Sequence, residues 1–517
     1  MLFRSRWTVN GVETWAILDS GAGMSVLDTG FAAEAGIAGR GSFAASGTGG
    51  VEKVQFAQGV DVAIGSLRLD DATVALIDFS ELSVLMGRPL TLIVFHPGYL
   101  TIDAWWVYKA ITDGLGDWQS PAMSVLWRLI DPIAPGSLSM FLLMALLYWG
   151  SFGLIACTVA RHGSWLGVAT VLLAFAPPAF VFIGMIWRDV LFADVWLGAA
   201  ALTYATTNRS AGVRWPAQTL AVVLVLFGVL LRPNAIIAAP FLAAYVIWPA
   251  AFHWKRVAAI LIPGILAGYG LIHTVYYTVL NAERQNPLHS VFVFDLGGIT
   301  YYSGENRFPV TFTPEQTKML FTNTCYDPTR WDYYWHIEPC DFVMQRLERK
   351  DDKIFGTPRL VEAWRTAVLS NPLAYLKHRL TFMRTFLAEP ILVIPTLDLD
   401  EPSRRIHAQN PFFMAMIGVH NVLQPTWLFR MGFWLVIAIT VCAFAWPLRA
   451  TASGAFALGA TGSAIVYVLS YFPFGVAAEF RYGYWCVLAS LVGAVAVIAG
   501  RRKHASDASA SGSPAVA

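Results

Sequence analysis

The chain of 517 residues carries 36 Lys and Arg against 34 Asp and Glu, a net charge of +2 that offers no basic footprint for nucleic acid. It is 56% hydrophobic and 14% charged, with a mean hydropathy of +0.54, whereas soluble globular chains lie near 45 to 50% apolar and about 25% charged. This balance argues against a wholly water-soluble protein and calls for apolar segments of membrane-crossing length.

The first 90 residues are of another kind. Apolar positions alternate at Trp15-Ala-Ile-Leu, Val60-Asp-Val-Ala-Ile and Val74-Ala-Leu-Ile, and Gly-rich turns such as Gly47-Thr-Gly-Gly50 separate them, an all-β pattern. Within it stands Ala16-Ile-Leu-Asp19-Ser20-Gly21-Ala22, followed by Ser25-Val-Leu and Met86-Gly87-Arg88. This resembles the retropepsin-like aspartic proteases. The resemblance implies Asp19 as the catalytic carboxylate and Gly47, Gly49 and Gly50 as part of a flap over the substrate. It also implies a dimer, because two such aspartates about 3 Å apart share one proton and together activate water. That family continues after its Gly-Arg with a further strand, a helix and a closing strand. Here the chain runs Leu90-Thr-Leu-Ile-Val-Phe95-His-Pro-Gly-Tyr99 instead, so residues 1–90 read as an incomplete domain.

Two Trp-rich amphipathic helices are expected in 97–136, at Pro97-Gly-Tyr-Leu-Thr-Ile-Asp103-Ala-Trp-Trp and Asp117-Trp-Gln-Ser-Pro121, a composition that lies flat at a membrane interface. Apolar runs then recur near 137–160, 164–186, 190–206, 217–231, 235–251, 257–280, 427–447, 452–472 and 483–500, each close to the ~20 residues that cross a bilayer. The fold class is therefore mostly α, a polytopic transmembrane bundle of about nine to ten spans, preceded by the small all-β domain. The expected organisation is 1–90 protease-like, 97–136 an external catalytic loop and 137–280 transmembrane. Residues 281–425 form an external segment, 426–500 are transmembrane and 501–517 are a disordered cytoplasmic tail.

Counting loops alternately, one side receives Arg161, Arg209, Arg214, Lys255, Arg256, Arg449, Arg501, Arg502 and Lys503, and the other only Arg188, Arg232 and Arg481. The first side is expected in the cytoplasm. Among the cysteines, Cys157, Cys442 and Cys486 read as small buried hydrophobes in apolar helices. Cys325 and Cys340 lie in the external segment within a Trp- and Tyr-rich stretch, as a disulfide in an oxidising compartment or as two thiols.

An acidic residue in a first external loop (Asp103), with Ile186-Trp-Arg188-Asp189-Val, Leu230-Leu-Arg232-Pro-Asn234 and Glu479-Phe-Arg481-Tyr482 at outer helix ends, resembles the C-type glycosyltransferase superfamily, whose donors are sugars on polyprenyl phosphate. Asp295-Leu-Gly-Gly-Ile-Thr300 and Asn371-Pro-Leu-Ala-Tyr375-Leu-Lys-His378-Arg379 match the same group. The resemblance implies Asp103 as general base and Asp117, Arg188, Asp189, Arg232, His378, Arg379, Glu479, Arg481 and Tyr482 as substrate-binding residues. It implies a polyprenyl-phosphate-linked sugar, a lipid or glycan acceptor and membrane lipids as partners, with no nucleic acid, in a bacterial inner membrane. Arg232 and Arg481 can equally snorkel or pair with Glu479. Asp398-Leu-Asp400-Glu401 leaves room for a divalent cation, although such a run is more often a solvated loop, and no zinc, Walker or dinucleotide signature stands in the chain. The one candidate for a span ahead of the catalytic loop, Leu82 to Phe95, is short and holds Arg88, so the chain reads as a fusion of two proteins, each missing an edge. The N-terminus is expected inside if Leu82 to Phe95 crosses and outside if it does not, and the lack of a signal peptide ahead of residue 1 favours inside.

Three classes of function remain: a lipid-linked-sugar glycosyltransferase, a membrane-tethered aspartic endopeptidase, and a transporter or structural membrane protein, which needs ionisable groups near mid-membrane. Tags inserted after Arg161, Arg256 or Arg502 should be shielded from an impermeant reagent in intact cells, and a tag at Glu315 should react. Labelling of Glu315 only after permeabilisation would reverse the orientation.

Overall fold

In a computed structural model of the chain, residues 2–19, 26–28, 32, 35–47, 50–64, 67–77, 90–350, 353–390 and 409–510 are described. The chain divides into two compact units, 1–97 with 397–417, and 98–396 with 418–517.

The first unit carries a twisted sheet of strands β1 (Leu2–Val9), β2 (Val12–Asp19), β3 (Val26–Asp28), β4 (Arg40–Gly47), β5 (Gly50–Ile64) and β6 (Leu67–Ile77). Its order is β2-β1-β5-β6-β3, with β4 also on β5. β1 and β2 are joined by Asn10-Gly11, both at positive φ (47° and 84°), the backbone that a two-residue hairpin turn requires. All pairings are antiparallel except β3 with β6. The alternation read in the sequence places Val60, Val62, Val74 and Leu76 inside with Val9 and Ile37, while Asp61 and Asp71 face out. Gly47 and Gly50 face each other across the β4–β5 hairpin; Gly49 lies outside the described residues. Asp19 is the last residue of β2, paired in register with Leu2, and the rest of its motif, 20–25, lies outside the described residues, as does 86–88. Of the candidate first span, only the six-residue helix α1 (Leu90–Phe95) is described. Within this unit Phe95 meets Phe413 edge to face, and Asn410 donates to the carbonyls of Ile93 and Val94.

The second unit is helical. Helices α2 (Ile102–Asp113) and α3 (Pro121–Ile130) stand where two amphipathic helices are predicted. They are followed by α4 (Ser137–Val159), α5 (Ser164–Ala174), α6 (Arg188–Thr206), α7 (Ala211–Leu231), α8 (Ala239–Ile247) and α9 (Trp254–His273). A π-helical turn, Thr274–Val279, extends α9. Then come α10 (Leu288–Ser303), α11 (Pro358–Ser370), α12 (Pro372–Ala388), α13 (Pro411–Leu423), which crosses between the units, α14 (Met431–Ala445), α15 (Ala452–Phe474) and α16 (Tyr484–Ala510).

Six segments among the described residues are long and apolar enough to cross a bilayer: Ser137–His162, Ala211–Leu231, Trp254–Val279, Met431–Leu448, Ala452–Phe474 and Phe480–Lys503. The protein is a membrane protein on this ground, although the predicted nine to ten spans are not all continuous helices. The predicted span 164–186 breaks at Pro177-Pro178 after an 11-residue helix, because proline cannot continue the ladder. The one at 190–206 lies in α6, which carries Arg188, Asp189 and Asp194 and is buried by its neighbours along most of its length. The one at 235–251 is a 3-10 turn plus nine residues of α8. The predicted unstructured tail also differs, since α16 runs to Ala510 through an Ala-rich stretch of high helix propensity.

Cys325 and Cys340 are bonded, with Cα atoms 5.4 Å apart. The bridge closes a loop of 15 residues in sequence separation, a constraint worth about 3 kcal/mol on the unfolded chain. Replacing both cysteines by Ser should lower unfolding stability by roughly that amount in detergent; an unchanged midpoint would mean that the loop is held by packing alone.

Candidate active site

The charged helix ends of the second unit converge. Thr101 caps α2 by accepting from the Ala104 amide (3.2 Å), which sets Asp103 in the first helical turn, where the helix dipole favours a carboxylate. The strand-like segment before the cap is fixed to the approach of α6: the Tyr99 amide donates to Gly184 (2.8 Å) and the Ile186 amide to Tyr99 (3.1 Å). Gly98 is required at this point, since its φ is +99° and a Cβ would stand 2.6 Å from Phe141.

Arg481 lies in the 3-10 turn Phe480–Gly483 that leads into α16. Its Nη1 is 2.9 Å from Asp103 Oδ2, its Nε pairs with Glu479, and its guanidinium covers the Trp187 ring at 4.4 Å. Arg232, at the C-terminal end of α7, pairs with Asp189, donates to the Tyr471 hydroxyl (3.0 Å) and lies over Tyr482 at 4.7 Å. Arg188 donates to the Trp118 carbonyl (3.1 Å). Asp103, Asp189 and Glu479 thus face Arg188, Arg232 and Arg481, three charges of each sign.

Exposure divides their roles. The Asp103 side chain is 41% exposed, Arg481 10%, and Arg232 and Asp189 9% and 4%, so Asp103 is the most accessible of these four groups. Burial pushes the Asp103 carboxyl up, but Arg481, Arg188 and Arg232 together outweigh it and hold the pKa below its ordinary value. A carboxylate kept ionised and accessible can accept a proton or a cation. Burial raises Glu479, against the pull of Arg481.

One contributor was not foreseen from the sequence. The Thr329 carbonyl accepts from the Ala478 amide (2.6 Å) and the Trp331 amide donates to Val476 (2.9 Å), which seats the disulfide loop beside Glu479. Asp332 comes with it: burial, with the Asp103 charge contributing, raises its pKa. Trp331 and Trp335 stack at 5.4 Å, and Trp118 packs on both, at 5.7 and 5.3 Å. The clustering of Trp and Tyr between Cys325 and Cys340 was the available signal.

Three predicted substrate contacts are placed elsewhere. Asp117 is buried, accepting from the Tyr277 hydroxyl (2.7 Å) and the Gln285 amide (2.6 Å), so both oxygens are spent on locking the loop before α3 to the end of α9. His378 and Arg379 are fully buried against Asp295 on α10, with Arg379 Nε 2.6 Å and His378 Nε2 3.4 Å from its Oδ1. Trp364 donates to the other oxygen (2.7 Å). Burial pushes Asp295 up, but Arg379 and His378 overcome it and the pKa lies below the ordinary value; burial lowers His378. Arg379 also donates to the Gly475 carbonyl (2.6 Å), four residues before Glu479. This trio therefore positions the site and does not line it. Asp398, Asp400 and Glu401 lie outside the described residues, among which no group of three or more His, Cys, Asp or Glu is arranged to hold a metal ion.

Residues 6–93 match the family model described as Aspartyl protease. No curated protein and no solved structure gives a significant match. The N-terminal unit is thus similar to aspartyl proteases over the stretch that holds Asp19, and the family match does not extend to the helical unit.

The paired glycines of α10 make the buried trio possible: a Cβ on Gly298 would stand 2.2 Å from the His378 ring, and one on Gly297 2.3 Å from Tyr334. Gly298→Val should therefore destabilise the helical unit by about 1 to 3 kcal/mol through overpacking, read by thermal unfolding. A neutral result would show that His378 has room to move.

Proposed function

We propose that the helical unit is a membrane glycosyltransferase that moves a sugar from a polyprenyl-phosphate donor to an acceptor hydroxyl at the outer face of a bacterial inner membrane. The observation that carries the reading is Asp103, a half-exposed carboxylate kept ionised by Arg481 at a bundle end that also gathers Arg188 and Arg232.

Asp103 takes the proton of the acceptor hydroxyl as that oxygen bonds to the anomeric carbon. The bond from this carbon to the phosphate oxygen breaks, and the lipid phosphate leaves with the electron pair. Arg481, the cation in direct contact with Asp103, meets the negative charge that develops there, since guanidinium groups bind phosphate oxygens in two-pronged fashion. Arg232, committed to Asp189, acts through Tyr471 and Tyr482. The exposed Trp335 ring and the half-buried Trp118 ring, with Trp331 buried against both, provide apolar faces of the kind on which a sugar ring stacks.

A second reading is favoured by the family match: an aspartic endopeptidase in which Asp19 and its counterpart in a second copy share a proton under the Gly47–Gly50 flap.

With polyprenyl-phosphate sugar in proteoliposomes, Asp103→Asn should lower turnover by about 10² or more without loss of folded protein. Arg481→Lys, which keeps the charge but not the fork, should raise KM for the donor. Equal transfer with Asn at 103 would overturn the assignment. Pepstatin-sensitive cleavage abolished by Asp19→Asn would favour the second reading.

A further inference from the structure

The opposite end of the helical bundle holds a second charged cavity, with no part in the reaction proposed above. A space of about 500 Å³ lies between the α8–α9 and α14–α15 connections, lined by His253, Lys255, Arg256 and Arg449 together with Trp254 and Trp446. The two connections are tied by the Phe252 amide, which donates to the Arg449 carbonyl (2.7 Å). Among the described residues no carboxylate pairs with any of the four basic groups. Arg256 rests on Trp248 at 5.1 Å and Arg449 on Trp446 at 5.3 Å, and Arg449 also donates to the Trp446 carbonyl (3.1 Å), so aromatic faces and a neutral acceptor hold the guanidinium groups in place. No side chain caps the N-terminus of the 20-residue α9, which begins here, and its dipole adds positive potential.

We infer that this cavity binds the phosphodiester head group of an anionic lipid. Lys255, Arg256 and Arg449, with His253 beside them and no carboxylate paired to them among the described residues, call for an anion, and basic pockets between membrane helices take lipid phosphates. The surroundings select a lipid over a free ion. Trp254 and Trp446 are 60% and 46% exposed, as in the aromatic belt at the edge of the hydrocarbon. From the cavity, α9 presents Ile262 and Leu266 outward at 68% and 65% exposure, an apolar track along which acyl chains lie while the head group is held.

The full chain in phosphatidylcholine nanodiscs doped with spin-labelled phosphatidylglycerol tests this. The motionally restricted fraction of the label should exceed that of spin-labelled phosphatidylcholine several-fold. That preference should fall by about fivefold or more in the triple variant Lys255→Gln, Arg256→Gln, Arg449→Gln. Thermal unfolding in pure phosphatidylcholine verifies that the variant is folded; if it is not, Arg449→Gln alone should still lose about half of the preference. No preference in the natural chain, an unchanged preference in the folded variants, or displacement of the label by millimolar inorganic phosphate would each overturn the inference, the last by showing a site for free anions.

Discussion

The organisation of the helical unit turns on one guanidinium. Arg481 is nine-tenths buried between two carboxylates, Asp103 from α2 and Glu479 from its own turn, and lies against the Trp187 ring. Removing the buried partner, Glu479 (13% exposed), costs about 3 to 5 kcal/mol, because the guanidinium then loses its buried counter-charge, whereas the pair with the exposed Asp103 contributes far less to stability. The start of α2, the entry to α6 and the entry to α16 are therefore bound to a common point, and the Arg232–Asp189 pair adds the end of α7. The exposed part of this network is Asp103, so the structural demand for a paired cation and the chemical demand for an ionised, reachable carboxylate fall on the same contact.

Close approach of backbones supports that point from behind. Gly228 lets the Trp196 indole reach α7, where a Cβ would stand 2.1 Å from its Nε1, and the indole donates to the Val225 carbonyl (3.2 Å). Gly297 and Gly298 let Tyr334 and His378 press onto α10 in the same way. Through the Arg379 bond to Gly475 and the pairing of 329–331 with 476–478, the Asp295 trio and the disulfide loop both brace the segment that carries Glu479 and Arg481.

Much of this was legible because charges are conspicuous in an apolar chain. Asp103, Arg188, Asp189, Arg232, Glu479, Arg481 and Tyr482 stand at helix ends, and the helices bring them together. The alternation of Val60 and Val62 likewise foretells the sheet, since it is a local signal. What escaped was non-local. Whether His378 and Arg379 face a ligand or a core depends on Asp295, more than 80 residues earlier, and nothing in their own segment says so. Asp332 comes near the segment that carries Glu479 only because a bridged loop pairs with residues 476–478, beyond the end of α15. Hydropathy also does not distinguish the six continuous helices of spanning length among the described residues from apolar runs that are broken, as at Pro177-Pro178, or buried among other helices, as α6 is.

Photoaffinity mapping with a benzophenone-bearing polyprenyl phosphate on the full chain tests the central claim most directly. The account predicts cross-links within the peptides holding Trp187, Tyr482 and Asp103, removed by excess unlabelled polyprenyl phosphate and weakened in Arg481→Lys. Cross-links confined to other helices, or labelling at these peptides that unlabelled lipid does not compete away, would contradict it.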